Sequence, residues 1–525
     1  MNLINFKSNR PEGYYTFTDK QLSKICKEVE QFLQKQNFLL LRTLSATRIR
    51  ALAQIITEFG EDTYFEIGLW DTLEQTNQRL FGNPLPFSKP ENEEHSDFPF
   101  DEYKLAHLLW NVFLIFKEQD YFSPQHADLL PLAEKLSYFL EAKFDKLKGE
   151  SSVKKFLITP NKLGFQVKRK LVWLGKHSYL FRHLCDYYLY LNDASNLEFN
   201  ETIPYWDDFL CQECTLWSGM GALDFLTEVI GLTDAQKLQV SNWYERHVAY
   251  YKILEVNKDE IKAENLIINK VYLISDPQDN VSNSPFEKGM IIYGGLVPFE
   301  EKWYWSGNQR ELRSKDSEQE IARNFKIKSP SINYRYDKEM LVMAKKRTLE
   351  NYEYYKNYYK KDYAEFKTGK EYAKVNFERM LDEQKQRLSP TAYEEQLLKF
   401  KEARITAESI QSKSILESEQ GICSFYNPAI GEEIIIGYHK IKAALQKNGE
   451  NLSIDDIEII QHFFQDSTIS LEFVKFLIRE FGTASIAVAF YLKKRPKYWV
   501  DYLLRKMNGQ SFRNRYPMLS VMDTE

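Results

Sequence analysis

Three groups of side chains in this 525-residue sequence have the types and spacing that chemistry needs. The first is Cys211-Gln-Glu-Cys214, with His177, His183 and Cys185 upstream. Zinc takes thiolate and imidazole in a tetrahedron, and a C-x-x-C pair supplies two such ligands. His183 and Cys185 are two residues apart, so on a helix they point in different directions, which weakens a four-ligand site. A free cysteine is also an ordinary small core residue, and the expectation is buried thiols with no metal or other cofactor. The second group is Glu255 with Glu260-Ile261-Lys262 on the next strand. Two carboxylates sharing a hard Mg²⁺, with a lysine beside the developing charge, form an arrangement that cuts phosphodiesters. The same alternation is what a solvated strand face looks like. The third group is aromatic. Tyr352, Tyr355, Tyr359, Tyr363 and Phe366 are interleaved with Lys356, Lys360, Lys361 and Lys367, a combination able to stack bases and neutralise phosphates. The five rings fall on one helical stripe, and Glu350, Glu353, Asp362 and Glu365 dilute the positive charge. A packing or partner-contact face carrying Tyr355 and Tyr359 is the preferred reading. Trp303 and Trp305, with Tyr293 and Tyr304, are placed either to floor a binding pocket or to fill a sheet core. Asp207, Asp208 and Glu213 beside Trp206 and Trp217 fit an amphipathic helix with exposed carboxylates.

Several familiar signatures fail. Gly369-Lys370 has Ala364 where a phosphate-cradling loop needs its first glycine. Ser218 lacks the glycine two residues before a hydrolase nucleophile. Gly219-Met220-Gly221 has Asp224 in place of the third glycine of a dinucleotide fingerprint, and there is no His-Glu-x-x-His pair.

The elements that must position these groups can be read from periodicity. Thr18 with Gln21 matches a capping box, followed by Leu22, Ile25, Cys26, Val29, Phe32 and Leu33 at helical spacing. A second helix runs from Ala46 to Phe59, with Gly60 suited to the left-handed residue that ends it. A third passes through Trp70, Leu73 and Phe81 and stops at Gly82-Asn83-Pro84. Ser88–Glu102 reads as an acidic exposed loop, followed by helices over Glu102–Glu118 and Pro124–Lys148. From Tyr251 the period changes to two, and residues 250–312 read as a small antiparallel sheet or partly closed barrel packed on the preceding helices. Within Asp337–Arg404 there are 16 Lys/Arg and 13 Asp/Glu, and Ser389-Pro390 breaks the segment into a helical hairpin. Ile422–Tyr426 and Glu432–Gly437 read as a β-hairpin, and Ser470 caps a helix that Gly482 ends. The expected class is α+β, mainly helical: a helical N-terminal half (1–250), a central antiparallel β subdomain (251–336), a charged helical hairpin (337–420) and an α+β C-terminal subdomain (421–525).

A chain with 43% hydrophobic and 28% charged residues and a net charge of −5 is neither a basic nucleic-acid arm nor a disordered acidic tail. Five cysteines do not make a disulfide framework. No apolar leader follows Met1, and the densest apolar runs, Leu105–Phe116 and Ala484–Leu492, fall short of the roughly 20 residues that span a bilayer. The expected setting is cytoplasmic, with no membrane partner. Phe65–Trp70 leading to Leu85-Pro86-Phe87, then Trp303–Gly307, then Phe425–Glu432, together resemble an uncharacterised family of cytoplasmic Bacteroidota proteins known only as a domain of unknown function. The resemblance implies one multi-part bacterial architecture across most of the chain, and with no activity or catalytic residues assigned to the family it transfers nothing functional. The function expected is a non-enzymatic protein-binding or scaffold role. The competing class is a Mg²⁺-dependent nucleic-acid-processing enzyme, of the kind used in phage defence, carried by Glu255, Glu260 and Lys262.

Overall fold

Helical periodicity in the first 240 residues builds a bundle around one enclosed helix. The computed structural model describes residues 6–87, 100–117, 122–160, 164–212, 219–257, 260–275, 286–299, 301–314, 316–328, 337–466 and 468–512. Two compact units divide the chain, Met1–Lys328 and Ser329–Glu525. Mainly helical α+β structure is found in both, as the sequence suggests.

The first unit begins with α1 (Phe17–Lys35), α2 (Leu39–Arg42), α3 (Ala46–Tyr64), α4 (Leu69–Phe81), α5 (Glu102–Lys117) and α6 (Leu129–Phe144). Then come α7 (Ser152–Ile158), α8 (Gly164–His177), α9 (Arg182–Leu191), α10 (Phe199–Gln212), α11 (Ala222–Val229) and α12 (Asp234–Ser241). The capping box of α1 is Thr16 with Asp19 rather than Thr18 with Gln21: the Thr16 N–H donates to Asp19 Oδ2 at 2.5 Å. Thr18 instead reaches Lys148 O. The helix α3 does not stop at Gly60. It continues to Tyr64, and a Cβ at Gly60 would lie 2.7 Å from the Phe144 ring, so the glycine admits α6 rather than ending α3. Every residue from Ala51 to Asp62 is buried, because α3 is wrapped by α1, α4, α5 and α6. Leu52, Ile55, Ile56 and Phe59 are fully enclosed, each contributing about 1.5–3 kcal/mol of apolar burial.

The strands β1 (His247–Val256), β2 (Glu260–Asn265), β3 (Val271–Ser275), β4 (Ile291–Phe299) and β5 (Lys302–Glu311) follow, then α13 (Glu318–Lys328). They close into a barrel in the order β1-β2-β3-β5-β4. The sheet is therefore mixed rather than purely antiparallel: β5 returns parallel to β3 at Ile274–Trp303. Tyr251, Ile253, Ile261, Ala263, Tyr272 and Ile274 fill the interior at period two. The Gly294-Gly295 pair in β4 is a packing requirement, since a Cβ would lie 2.8 Å from the Trp305 ring at the first position and 2.8 Å from the Arg246 guanidinium at the second. Outside the barrel, Phe325 of α13 rests on Tyr250 and Tyr293, with Lys252–Glu318 at 2.7 Å.

The second unit contains α14 (Lys338–Tyr359), β6 (Tyr363–Phe366), α15 (Gly369–Arg387), α16 (Pro390–Glu402), α17 (Lys413–Leu416), β7 (Ile422–Asn427) and β8 (Gly431–Ile436). It ends with α18 (Tyr438–Gln446), α19 (Ile454–Gln465), α20 (Leu471–Phe481), α21 (Ala484–Ala489) and α22 (Pro496–Met507). The aromatic stripe does not stay helical to Phe366. Lys360 at φ 59° ends α14, and Tyr363–Phe366 joins the predicted hairpin as the edge of an antiparallel sheet, β6-β7-β8. Burying Phe366 against Tyr372 and Ile422 accounts for the switch. Ser389 caps α16 and Ser470 caps α20, which Gly482 ends at φ 75°, as the sequence indicates.

Candidate functional site

A ligand-sized concavity of the first unit is an open cleft of about 640 Å³ between α4 and the start of α5. Its α4 wall is Glu74, Gln75, Gln78 and Arg79; Asp101, Tyr103 and Lys104 face them, and Pro84, Leu85 and Phe87 line the apolar side. Gly82 at φ 71° ends α4 and turns the chain so that Leu85 is buried and Phe87 stacks on His107 at 5.2 Å. Asp101 accepts the N–H groups of Tyr103 and Lys104 at 2.7 and 3.0 Å, which fixes the first turn of α5. The charges here are already paired. Lys104 lies 3.1 Å from Glu74 and 3.3 Å from Asp71, and Arg79 lies 2.8 Å from Glu228. Burial works against the Lys104 ammonium, yet Glu74 and Asp71 outweigh it and hold its pKa above the ordinary lysine value. The carboxamides of Gln75 and Gln78 make no hydrogen bond among the described residues and remain open to a ligand.

Beneath this surface, α3 carries an ionic core. Arg10 Nη1 donates to Glu61 Oε2 at 2.6 Å and lies 3.4 Å from Asp19, while Arg182 binds Glu58. Ser151 donates to Glu61 at 2.7 Å and Ser152 to Asp19 at 2.8 Å. Asp62 accepts from Leu69 N, Trp70 N and Tyr179 Oη at 3.0, 2.8 and 2.7 Å. Burial pushes the Glu61 carboxyl up despite Arg10, and pushes Asp62 up to about 6 despite its three donors. His177 goes down to about 4 through burial and the neighbouring Lys176 and Arg182, so its imidazole is neutral. The small cavity among Arg10, Glu58, Glu61, Asp62 and His177 measures about 20 Å³, room for one water and no substrate.

A third cluster joins α8 and α10 to the barrel. Lys168 Nζ lies 2.7 Å from Asp207 Oδ1 and donates to Ser306 Oγ at 2.9 Å, and Ser306 Oγ donates to Asp207 Oδ2 at 2.6 Å. Arg246 pairs with Asp208. Burial opposes both charges of the Lys168–Asp207 pair, but their mutual attraction prevails, raising the lysine and lowering the aspartate. Lys168 stays an ammonium and does not serve as a base toward Ser306. Asp207, expected on an exposed helix face, is 3% exposed and central to this joint.

Among the described residues, none of the candidate site residues singled out by sequence lines the α4–α5 cleft, though several of them lie together elsewhere. Glu255 sits opposite Lys262 across the β1–β2 hairpin, and Glu260 follows at the start of β2 on the same outward-facing alternation. Trp303 and Trp305 do share one face, and that face is the barrel interior, where Trp303 packs edge-on to Tyr272 at 4.8 Å and Trp305 to Tyr251 at 5.6 Å. Tyr355 is fully buried with its hydroxyl 2.8 Å from Ser424 O, and Tyr359 packs against it at 4.7 Å with the rings tilted by 52°. His183 and Cys185 are buried in α9, and Cys211 lies 3.5 Å from Lys168 Nζ. Cys214, with Glu213 and Trp217, falls outside the described residues. Among the described residues no three His, Cys, Asp or Glu side chains are grouped to hold a metal. In the sequence Glu74, Gln75, Gln78 and Arg79 look like any solvated helix face, and only the flanking Leu85-Pro86-Phe87 carries a signal.

Among the described residues no helix is long and apolar enough to cross a membrane. No curated protein and no solved structure matches the chain. The segments Trp303–Gly307 and Phe425–Glu432 lie beyond the stretch a family model covers. That stretch, residues 2–198, holds both the cleft walls on α4 and α5 and the ionic core on α3, and it matches the family described as Protein of unknown function (DUF3843).

Proposed function

We propose that the chain is a non-enzymatic binding protein of the bacterial cytoplasm, and that the α4–α5 cleft holds a short uncharged segment of another polypeptide. The observation that carries this reading is the pairing of open carboxamides, Gln75 and Gln78, with an apolar side of Pro84, Leu85 and Phe87 in a void of about 640 Å³. Side-chain amides match the N–H and C=O groups of an extended backbone, and the apolar side takes one side chain of the bound segment. The neighbouring cations are neutralised by Glu74, Asp71 and Glu228, so a phosphate-rich ligand gains little there. The barrel does not favour nucleic acid either: residues 247–312 contain 7 Lys/Arg against 10 Asp/Glu, the reverse of an electrostatic footprint for phosphates.

The test is selection from a random peptide library displayed on phage, using the full chain, followed by fluorescence anisotropy of the enriched peptides. Gln78→Trp fills the cleft from an exposed position without touching the core. Enriched peptides that lose roughly tenfold in affinity, about 1.4 kcal/mol, toward this variant support the reading. No enrichment, or peptides indifferent to Gln78→Trp, overturns it.

A further inference from the structure

The sequence contains two Asn-Gly dipeptides, Asn448-Gly449 and Asn508-Gly509. Asn-Gly is chemically labile because an unhindered glycine nitrogen can reach the asparagine side chain. The fold treats the two differently. Asn508 is 4% exposed and its carboxamide donates to Phe464 O at 3.4 Å. Asn448 is exposed, in the turn that follows α18.

The structure also explains why the labile pair stands at that turn. Asn448 and Gly449 have φ of 49° and 84°, and Glu450 N donates to Lys447 O at 2.9 Å. Two consecutive positive-φ residues inside one such hydrogen bond make a type I′ turn, for which Asn-Gly is the favoured pair. Gly449 is further constrained, because a Cβ there would lie 3.2 Å from Ala484 O. Its N–H donates to Ser485 Oγ at 2.9 Å, and that hydroxyl lies 3.2 and 3.1 Å from Ala444 O and Leu445 O at the end of α18. Ser485 is 2% exposed and thus fixed.

We propose that Asn448 is a site of spontaneous deamidation, and that Ser485 is a positioning residue that slows it by holding the attacking nitrogen. In the reaction the Gly449 nitrogen loses its proton and forms a bond to Asn448 Cγ. The Cγ–Nδ2 bond breaks and ammonia leaves, giving a succinimide. Water then opens the ring at either carbonyl, yielding aspartate or isoaspartate and one new negative charge. While Gly449 N–H is bonded to Ser485 Oγ, its proton is retained and the nitrogen is directed away from its own asparagine. The isoaspartyl product inserts a methylene into a two-residue turn that has no slack, which withdraws Gly449 from Ser485 and frees the end of α18 from α21.

Full-length wild type, Ser485→Ala and Ser485→Thr are held in mildly alkaline buffer, folded and in denaturant, and sampled by peptide mass spectrometry that separates aspartate from isoaspartate. In denaturant the three convert Asn448 alike. Folded wild type converts more slowly than denatured wild type, folded Ser485→Ala about fivefold faster than folded wild type (the equivalent of one hydrogen bond), and Ser485→Thr close to wild type. Asn508 stays intact in the folded chains. A folded wild-type rate equal to the denatured rate overturns the proposal without reference to any variant. Equal rates for folded Ser485→Ala and wild type, or conversion of Asn508 ahead of Asn448, overturn it as well.

Discussion

Replacing Arg10 by Met tests whether the ionic core of α3 is as desolvated as its geometry implies. The substitution keeps an unbranched stem over the Phe6 ring, which the guanidinium now covers at 4.2 Å, and removes only the charge. Glu61 keeps Ser151 and Asp19 keeps Ser152, but neither hydroxyl neutralises a carboxylate at 2% or lower side-chain exposure. Removing one partner of such a buried pair costs about 3–5 kcal/mol. With a urea slope of about 2–3 kcal/mol per molar, the unfolding midpoint of the first unit falls by roughly 1–2 M. Eight of the nine tryptophans, all but Trp499, precede Ser329, so intrinsic fluorescence reports that unit. Adding Glu61→Gln to Arg10→Met should recover more than about 1 kcal/mol, since it removes the stranded charge. Acidification should do the same: burial already raises the folded-state pKa of Glu61, so its favourable term is present at low pH and lost as pH rises through that value. A midpoint within about 0.3 M of wild type, with no rescue by Glu61→Gln or by acid, would mean that water reaches Arg10 and that the desolvation argument is wrong.

Asp62 sets a second pH dependence. Its pKa rises from 3.8 to about 6 on folding, so its stabilising term is complete below pH 3.8 and lost as pH passes 6. The stability advantage of wild type over Asp62→Asn should shrink by about 3 kcal/mol across that window, and parallel urea curves at both ends that show no change would contradict it. Gly307→Ala should destabilise the first unit by about 2–4 kcal/mol. The residue sits at φ 82° and its Cβ would fall 2.6 Å from Asp207 Oδ2, displacing the carboxylate that holds Lys168 and Ser306; an unchanged fluorescence midpoint would show that the joint yields without penalty.

Helix caps and chain reversals were legible because they are local. Gly82 and Ser470 each act within one turn of the residues that reveal them. Gly60 has its reason in Phe144, on another helix, so its local sequence points to a helix end that is not there. The strand Tyr363–Phe366 is four residues long and continues an aromatic spacing that also fits a helix, so only its ladder with β7 distinguishes the two. The ionic core was hidden for a different reason. Glu58, Glu61 and Asp62 look like the solvated face of α3, and nothing near them in sequence announces that Arg10 and Arg182 arrive to enclose them. The cleft is a relation between α4 and α5, so its amides carry no mark of their own.

The β3–β5 seam has a consequence for how the barrel loosens. Among the described residues a single rung, Ile274 with Trp303, fastens that side, whereas the other neighbours share ladders of five to seven rungs, two of them interrupted by a bulge. Thermal agitation therefore has a preferred tear line. The barrel can unroll there into a flat ribbon of intact hairpins, baring Trp303 and Tyr272 to solvent well before the remaining strands separate.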